Sequence, residues 1–388
     1  MLPERLVRST SSSVCGQWLF GVAIGVTGLV LSSPAAAALQ AHHQLNGPTC
    51  VPCRIDVARE AVLGDDAAGI VGQQFTIHRD AHGRYLVSHL ENADEIVVFD
   101  SRGRFLRTVG RRGRGPGEFR GINWITGSDS AVFVFDGLNQ TITQYTSAFE
   151  LRGVSALPGQ VTGAVVLSNH IIVLNANIMT RDRAGYALHV LDDRGNIVKS
   201  LDGSAEGFRT DFAYMTMRRL ARAGAKSFWS APVSAYRFAE YDVAGGVRRD
   251  FERNVDWFKP YVSRGIVADP KVPPQPMLKD IHVDRDGLLW VIVNVADPAW
   301  HKAVVPDPIG PTGYGWNGNW NQFFDTIVEV IDPASAQVIA SRRLDQCLWR
   351  FAGPNIAASY KPPDGAEIVP RLELWRLALF QPSTHKRR

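Results

Sequence analysis

Five times along this 388-residue chain a β-rich apolar run ends in a D-x-x-G-like turn and a second β-rich run follows. Glu95-Ile-Val-Val-Phe99 leads into Asp100-Ser-Arg-Gly103 and then Arg104-Phe-Leu-Arg-Thr-Val109. The unit returns at Tyr145–Leu151, at Asp192-Asp-Arg-Gly195, at Asp242-Val-Ala-Gly245 and at Asp332-Pro-Ala-Ser335. Its spacing is about 46, 46, 50 and 90 residues. A period of roughly 40–50 residues built from short strands is the signature of radially repeated sheets. The 90-residue gap is swollen by two loop-like stretches.

The N-terminus is of a different kind. Arg5 and Arg8 precede a 14-residue apolar stretch, Trp18–Leu31, and Pro34 with Ala35–Ala38 offers an A-x-A site. That stretch is short for a bilayer span of roughly 20 residues, so 1–38 reads as a cleaved signal peptide rather than an anchor. Its removal takes two Arg and one Glu and leaves a net charge of +3. So small a charge on an exported chain argues against nucleic acid as partner. The expected location is periplasmic or secreted.

Cys15 falls in the signal, leaving Cys50, Cys53 and Cys347. Thr49-Cys50-Val-Pro-Cys53 is open to three readings: a local disulfide, free or mixed thiols, or a redox or metal pair. It lacks the strand-to-helix setting of a thioredoxin-like motif, and Arg54 stands where haem attachment needs His. His42 and His43 fall in a leader, 39–53, expected to be flexible. Cys347 reads as a buried core thiol, although an odd Cys could instead pair with one of the other two.

The apolar runs sort into four strands per unit. The first blade takes 74–79, 84–88, 96–99 and 105–109. The second takes 123–125, 131–135, 141–145 and 150–154, and the third 164–167, 171–174, 187–191 and 196–199. A less regular fourth uses 217–221, 227–230, 238–241 and 247–251. The fifth shows the clearest inner hairpin, Asp280–Val283 and Leu288–Val293 around Asp284-Arg-Asp-Gly287, and resumes at 326–331 and 337–341. The C-terminal runs 349–351, 356–360 and 371–376 lack an outermost strand, which Arg54–Leu63 can supply. Helices are nearly absent. The expectation is an all-β chain, a six-bladed β-propeller of four-stranded antiparallel blades over 54–380, closed by an N-terminal strand. The rest of 200–225 outside the strand 217–221, with 260–276 and 296–321, reads as loop insertions, and 381–388 as a disordered basic tail.

The phrase Asp100–Phe119, with its run Gly110-Arg-Arg-Gly-Arg-Gly-Pro-Gly-Glu-Phe119, closely resembles the blades of NHL-type repeats. Asp284-Arg-Asp-Gly-Leu-Leu-Trp-Val291 is similar to the inner hairpin of the same family. The resemblance covers about residues 50–380 and implies a secreted bacterial six-bladed propeller. Such proteins often carry a Cys pair just before the first strand, and Cys50 and Cys53 look like that pair. Propellers of this sort include binding modules, lactonases and lyases, so the resemblance implies a fold and leaves the activity open.

The chain contains no G-x-S-x-G elbow, H-E-x-x-H pair or phosphate-binding Walker loop. The Arg-rich run 107–120 reads as an inter-blade connection whose glycines allow positive φ. Trp300, His301, Tyr314, Trp316, Trp320, Phe323 and Phe324 crowd the fifth blade's insertion. They either stack on a ligand or fold back to seal the blade. Polar residues heading the innermost strands are the channel candidates: Gln73, Asn123, Arg218, Lys279, Asp280 and Trp349. The ligand-binding set expected from the sequence is therefore Trp300, Tyr314, Trp316, Trp320, Asn123, Arg218, Lys279 and Asp280. A monomeric module binding a peptide, protein or glycan follows, with no metal or other cofactor. The alternative is a lactonase-like hydrolase or lyase that holds a divalent cation such as Ca2+ in the channel, a site for which Asp280 and Asn123 lie among many cations.

Overall fold

The computed structural model describes residues 42–64, 69, 71–203, 216–262, 267–363 and 369–382. The expected signal peptide, the first residues of the leader and most of the basic tail lie outside the described residues. Six four-stranded antiparallel sheets form the body. In chain order the blades are Phe75–Arg79, Tyr85–His89, Asn92–Phe99, Phe105–Val109; Ile122–Gly127, Ala131–Asp136, Thr141–Thr146, Leu151–Ala156; and Gln160–Val166, Ile172–Asn177, Tyr186–Leu191, Ile197–Gly203. The remaining three are Arg218–Arg222, Ser227–Pro232, Arg237–Asp242, Val247–Glu252; Met277–Val283, Leu289–Ala296, Phe324–Asp332, Gln337–Leu344; and Leu348–Gly353, Ile356–Lys361, Arg371–Phe380 with Arg54–Leu63. Each innermost strand touches the innermost strand of the next blade, and the sixth touches the first. The chain is thus a closed six-bladed propeller, sealed by the N-terminal strand on Arg371–Phe380.

The repeated turn makes the outer hairpin of the first five blades. Asp100 Oδ1 accepts from the backbone N–H of Arg102 and Arg104, both at 2.9 Å, and Gly103 turns the chain at φ +87°. Asp192 and Gly195 repeat the geometry, and Thr146 with Phe149 at φ +64° makes the version in the second blade. A side-chain oxygen that caps two backbone donors is what Asp and Thr supply in turns. Gly103 has a second role, because a Cβ there would run into the carbonyl of Val62 on the neighbouring blade.

Both faces of the blades are apolar, and the core sits between them. The first and second blades share Leu86, Val98, Val132 and Val134, and the fourth and fifth share Trp229, Phe238, Leu278 and Val291. Similar clusters occupy the other four junctions. Burying each of these large side chains contributes about 1.5–3 kcal/mol. The Arg-rich stretch is an inter-blade connection anchored by the fully buried Phe119, with Arg111 paired to Glu118 at 2.9 Å on the surface.

The leader departs from expectation over its described residues. His43–Gln44 adds a short parallel strand to Phe251–Glu252 at the outer edge of the fourth blade. Leu45 is buried, and the backbone of Asn46, Thr49 and Cys50 bonds to Val338 and Ile339 of the fifth blade. Residues 42–53 form a strap over two blade edges before the chain enters the sixth. Two residues of parallel pairing leave no periodic trace, so the sequence could not show it. Cys50 and Cys53 form a disulfide at its end. Cys347 is alone and fully buried, and burial pushes its thiol up to about 12.

Candidate functional site

At one end of the channel, where the innermost strands begin, a cavity of about 620 Å³ opens. Its walls come from the start of the innermost strands of every blade but the third, from Ser88 and Leu90 of the first blade, and from the insertion in the fifth blade. Register shifts explain how the strands reach it. Asn123, Lys279 and Trp349 are each the extra residue where the pairing of an innermost strand slips, and all three line the cavity. A bulge of this kind re-aims a side chain out of the strand's alternation.

Three cations converge there. Lys279 is only 7 % exposed, with Nζ 4.0 Å from the centre of the Trp349 ring. Burial first, then the neighbouring Arg219 and Arg350, brings its pKa down to about 7. Arg219 is buried and held below the ordinary guanidinium range. Arg350 packs its guanidinium 4.3 Å over the Trp124 ring, and burial with Arg219 lowers it to about 10. Arg219 Nε, Arg350 Nη1, Trp320 Nε1 and Trp349 Nε1 are buried without a hydrogen-bond partner. All four are donors. Buried donors without acceptors are costly, and here several, with the Ser88 hydroxyl beside them, belong to residues that line one cavity.

The counter-charge is Asp280, which lies outside the cavity lining. Its Oδ2 accepts from Phe351 N at 2.8 Å and its Oδ1 from Ile281 N at 3.0 Å, which joins the fifth blade to the sixth. Burial raises its pKa, while Arg350 and Arg219 oppose the rise. Asn123 directs Oδ1 to Gly137 N at 3.1 Å. Asp280 and Asn123 therefore each spend oxygens on backbone donors, and the oxygens for a cation in the channel do not converge. One acidic group occurs elsewhere among the described residues: Asp297, Asp325 and Asp345, within 4.8 Å of one another at the root of the insertion. Arg343 pairs with Asp325 there at 2.6 Å.

The other expected site residues divide. Trp316 and Trp320 line the cavity, as do Gln73 and Trp349. Trp300 instead packs near Phe323 in a satellite core with Ala303, Phe324 and Cys347. Tyr314 lies on a small hairpin, Val304–Pro306 with Tyr314–Trp316, and is 39 % exposed outside the cavity. That hairpin and two 3-10 turns give structure to an insertion expected to be loop. Arg218 points to Asp202, with Nε to Oδ2 at 2.6 Å, in a separate cleft beside Tyr241. Its neighbour Arg219 is the cavity residue. Adjacent arginines on a strand face opposite ways, and only the register tells which faces where. Arg350, Met217, Met277, Phe75 and Thr76 also line the cavity without having stood out in the sequence.

Comparison with known proteins bears on the fold. A family model described as a 6-bladed beta-propeller matches residues 74–234. No curated protein matches the chain. Among solved structures, a member of the duf4221 family from Bacteroides vulgatus superposes with a TM-score of 0.55 at 10% identity, covering 84% of this chain and 99% of that one. Virginiamycin B lyase from Staphylococcus aureus gives 0.43 at 10% identity, over 84% of this chain and 100% of that one. The calcium-binding protein regucalcin from Agrobacterium tumefaciens gives 0.44 at 9%, over 81% and 93%. At such identities the likeness is one of fold. The strand order, the closed ring and the matched family model agree that this chain is a six-bladed β-propeller.

Proposed function

We propose that this protein is an exported, monomeric binding propeller that holds an anionic ligand, as part of a peptide, protein or glycan, in the cavity at the channel mouth. One observation carries the reading: two guanidinium and two indole N–H donors are buried around that cavity with no acceptor, beside a third cation. An anion at the mouth would pair with the guanidinium groups of the residues that line it, through charge-assisted hydrogen bonds. The insertion supplies Trp316 and Trp320 as a wall for the ligand's uncharged part. Export rests on the N-terminal apolar stretch and agrees with the Cys50–Cys53 disulfide. The metal-assisted alternative needs oxygens converging in the channel, and here it is cations that converge.

Titration of the purified mature chain with acetylated peptides and with galacturonate oligomers, followed by tryptophan fluorescence, tests the proposal. Each is paired with a neutral counterpart of the same size. Saturable binding of the acidic members alone is expected, weakened at least tenfold by Arg219→Gln. Equal binding of neutral and acidic partners would defeat it.

A further inference from the structure

Resting on that reading, we infer that the anion is the free carboxylate of a peptide C-terminus whose last residue is apolar, seated between Arg219 and Arg350. Each of these guanidiniums has a buried N–H without an acceptor, and a carboxylate is planar with two acceptor oxygens that match guanidinium forks. Lys279 adds a point charge from the same wall.

The uncharged surface decides between peptide and sugar. A pyranose asks for a flat, open aromatic face. Trp320 is stacked on Phe324 at 5.8 Å and meets Trp349 edge-on at 5.0 Å, so its faces are spent on neighbours. The Trp349 face carries Lys279. What remains is Trp316, tilted against Trp320 at 4.9 Å, and Phe75, Ile122, Met217 and Met277, a rounded and partly unbranched apolar lining. Methionines adapt to side chains of different shape, which suits a hydrophobic residue better than a sugar ring. The side-chain amides of Gln73, Gln74 and Asn123 stand at the same cavity and offer donors and acceptors to a peptide backbone. The cavity's 620 Å³ lies in the range of small-ligand sites and takes the end of a chain rather than a folded surface.

The test compares an acetylated tetrapeptide ending in Phe as the free acid with the same peptide as the C-terminal amide, by calorimetry on the full mature chain. The acid is expected to bind about 100-fold more tightly, since two charge-assisted contacts are lost in the amide. Arg350→Gln should bring acid and amide to within a few-fold of each other. If that variant does not fold, the wild-type acid-to-amide ratio alone decides. Equal affinity of the two peptides, or preference for a peptide with an internal Asp and an amide terminus, would overturn the inference. Binding of galacturonate oligomers with no binding of either peptide would also overturn it and leave the anion-binding reading standing. Silence of every anion would remove both.

Discussion

Lys279 should make the protein less stable than it could be, by an amount that depends on pH. Its folded pKa of about 7 lies well below the ordinary 10.5, so between these values the unfolded chain binds a proton that the folded chain does not. Stability therefore rises with pH across that window and is lowest below about pH 7, where the folded state must carry the buried charge. The full gap corresponds to roughly 5 kcal/mol, of which about 4 kcal/mol is still felt at pH 7.5 and about 1.5 kcal/mol at pH 9.5. Lys279→Met keeps the stem's volume and removes the charge. It forfeits the contact with the Trp349 ring, worth about 1 kcal/mol, and relieves Arg219 and Arg350 of a like charge. For a body of some 340 residues, an unfolding entropy of about 0.7 kcal/mol per kelvin turns a net 3 kcal/mol into a rise in Tm of about 4 °C at pH 7.5. Scanning calorimetry of wild type and variant from pH 6 to 9.5 measures it. The gap should narrow steadily above pH 7 and nearly close at the upper end. A variant that melts below the wild type at pH 7.5, or a gap that ignores pH, would refute the reasoning. A confirmed gain accompanied by lost binding would mark Lys279 as a residue kept for its charge despite the stability it removes.

Other perturbations test the frame around the site. Arg253 and Glu329 form a buried pair at 2.9 Å between the fourth and fifth blades, with Tyr236 Oη donating to the same carboxylate at 2.7 Å. Arg253→Met should cost about 3–5 kcal/mol in urea unfolding, because Glu329 stays buried and uncompensated. Leu45→Ala should lose about 2–4 kcal/mol if the strap is part of the core, and close to nothing if it is a loose leader. Gly103→Ala forces both a positive φ and a collision with Val62, while Gly287→Ala, at φ +79°, meets open space. The first should cost about 2 kcal/mol or more and the second about 1 kcal/mol, and equal losses would deny the blade contact. Anion binding should raise the pKa of Lys279, so affinity for the free-acid peptide should fall as pH rises past 7, an effect absent in Lys279→Met.

The blades were legible because each rests on local chemistry. An Asp or Thr that caps two backbone N–H groups, next to a residue in the left-handed region, is written within five residues, as at Asp100–Arg104. Apolar runs on either side mark strands buried on both faces, and the missing outer strand of the sixth blade pointed to Arg54–Leu63. The cavity was only half legible. Lys279, Asn123 and Trp349 stood out as polar or large residues at strand starts, whereas the register slips that turn them inward depend on the partner strand. Arg218 and Arg219 are identical in type and adjacent, so the sequence offered no ground for choosing between them. The insertion's aromatics showed as a cluster, but their division between a satellite core around Phe323 and a cavity wall at Trp316 follows from tertiary packing. The strap left no pattern at all, since its bonds run to Val338 and Ile339, far along the chain.

The seal between Arg54–Leu63 and Arg371–Phe380 also governs when the molecule can become whole. Glu60 and Arg376, paired across it, are 316 residues apart in sequence. Arg54–Leu63, made before every other blade strand, is thus among the last to find its partner, and until then the sixth blade exposes an open edge beside a row of apolar side chains. Contacts of such separation fold slowly, and open edges invite pairing with other chains. The chain must be protected through that interval, and the waiting time is built into a ring that closes with its own beginning.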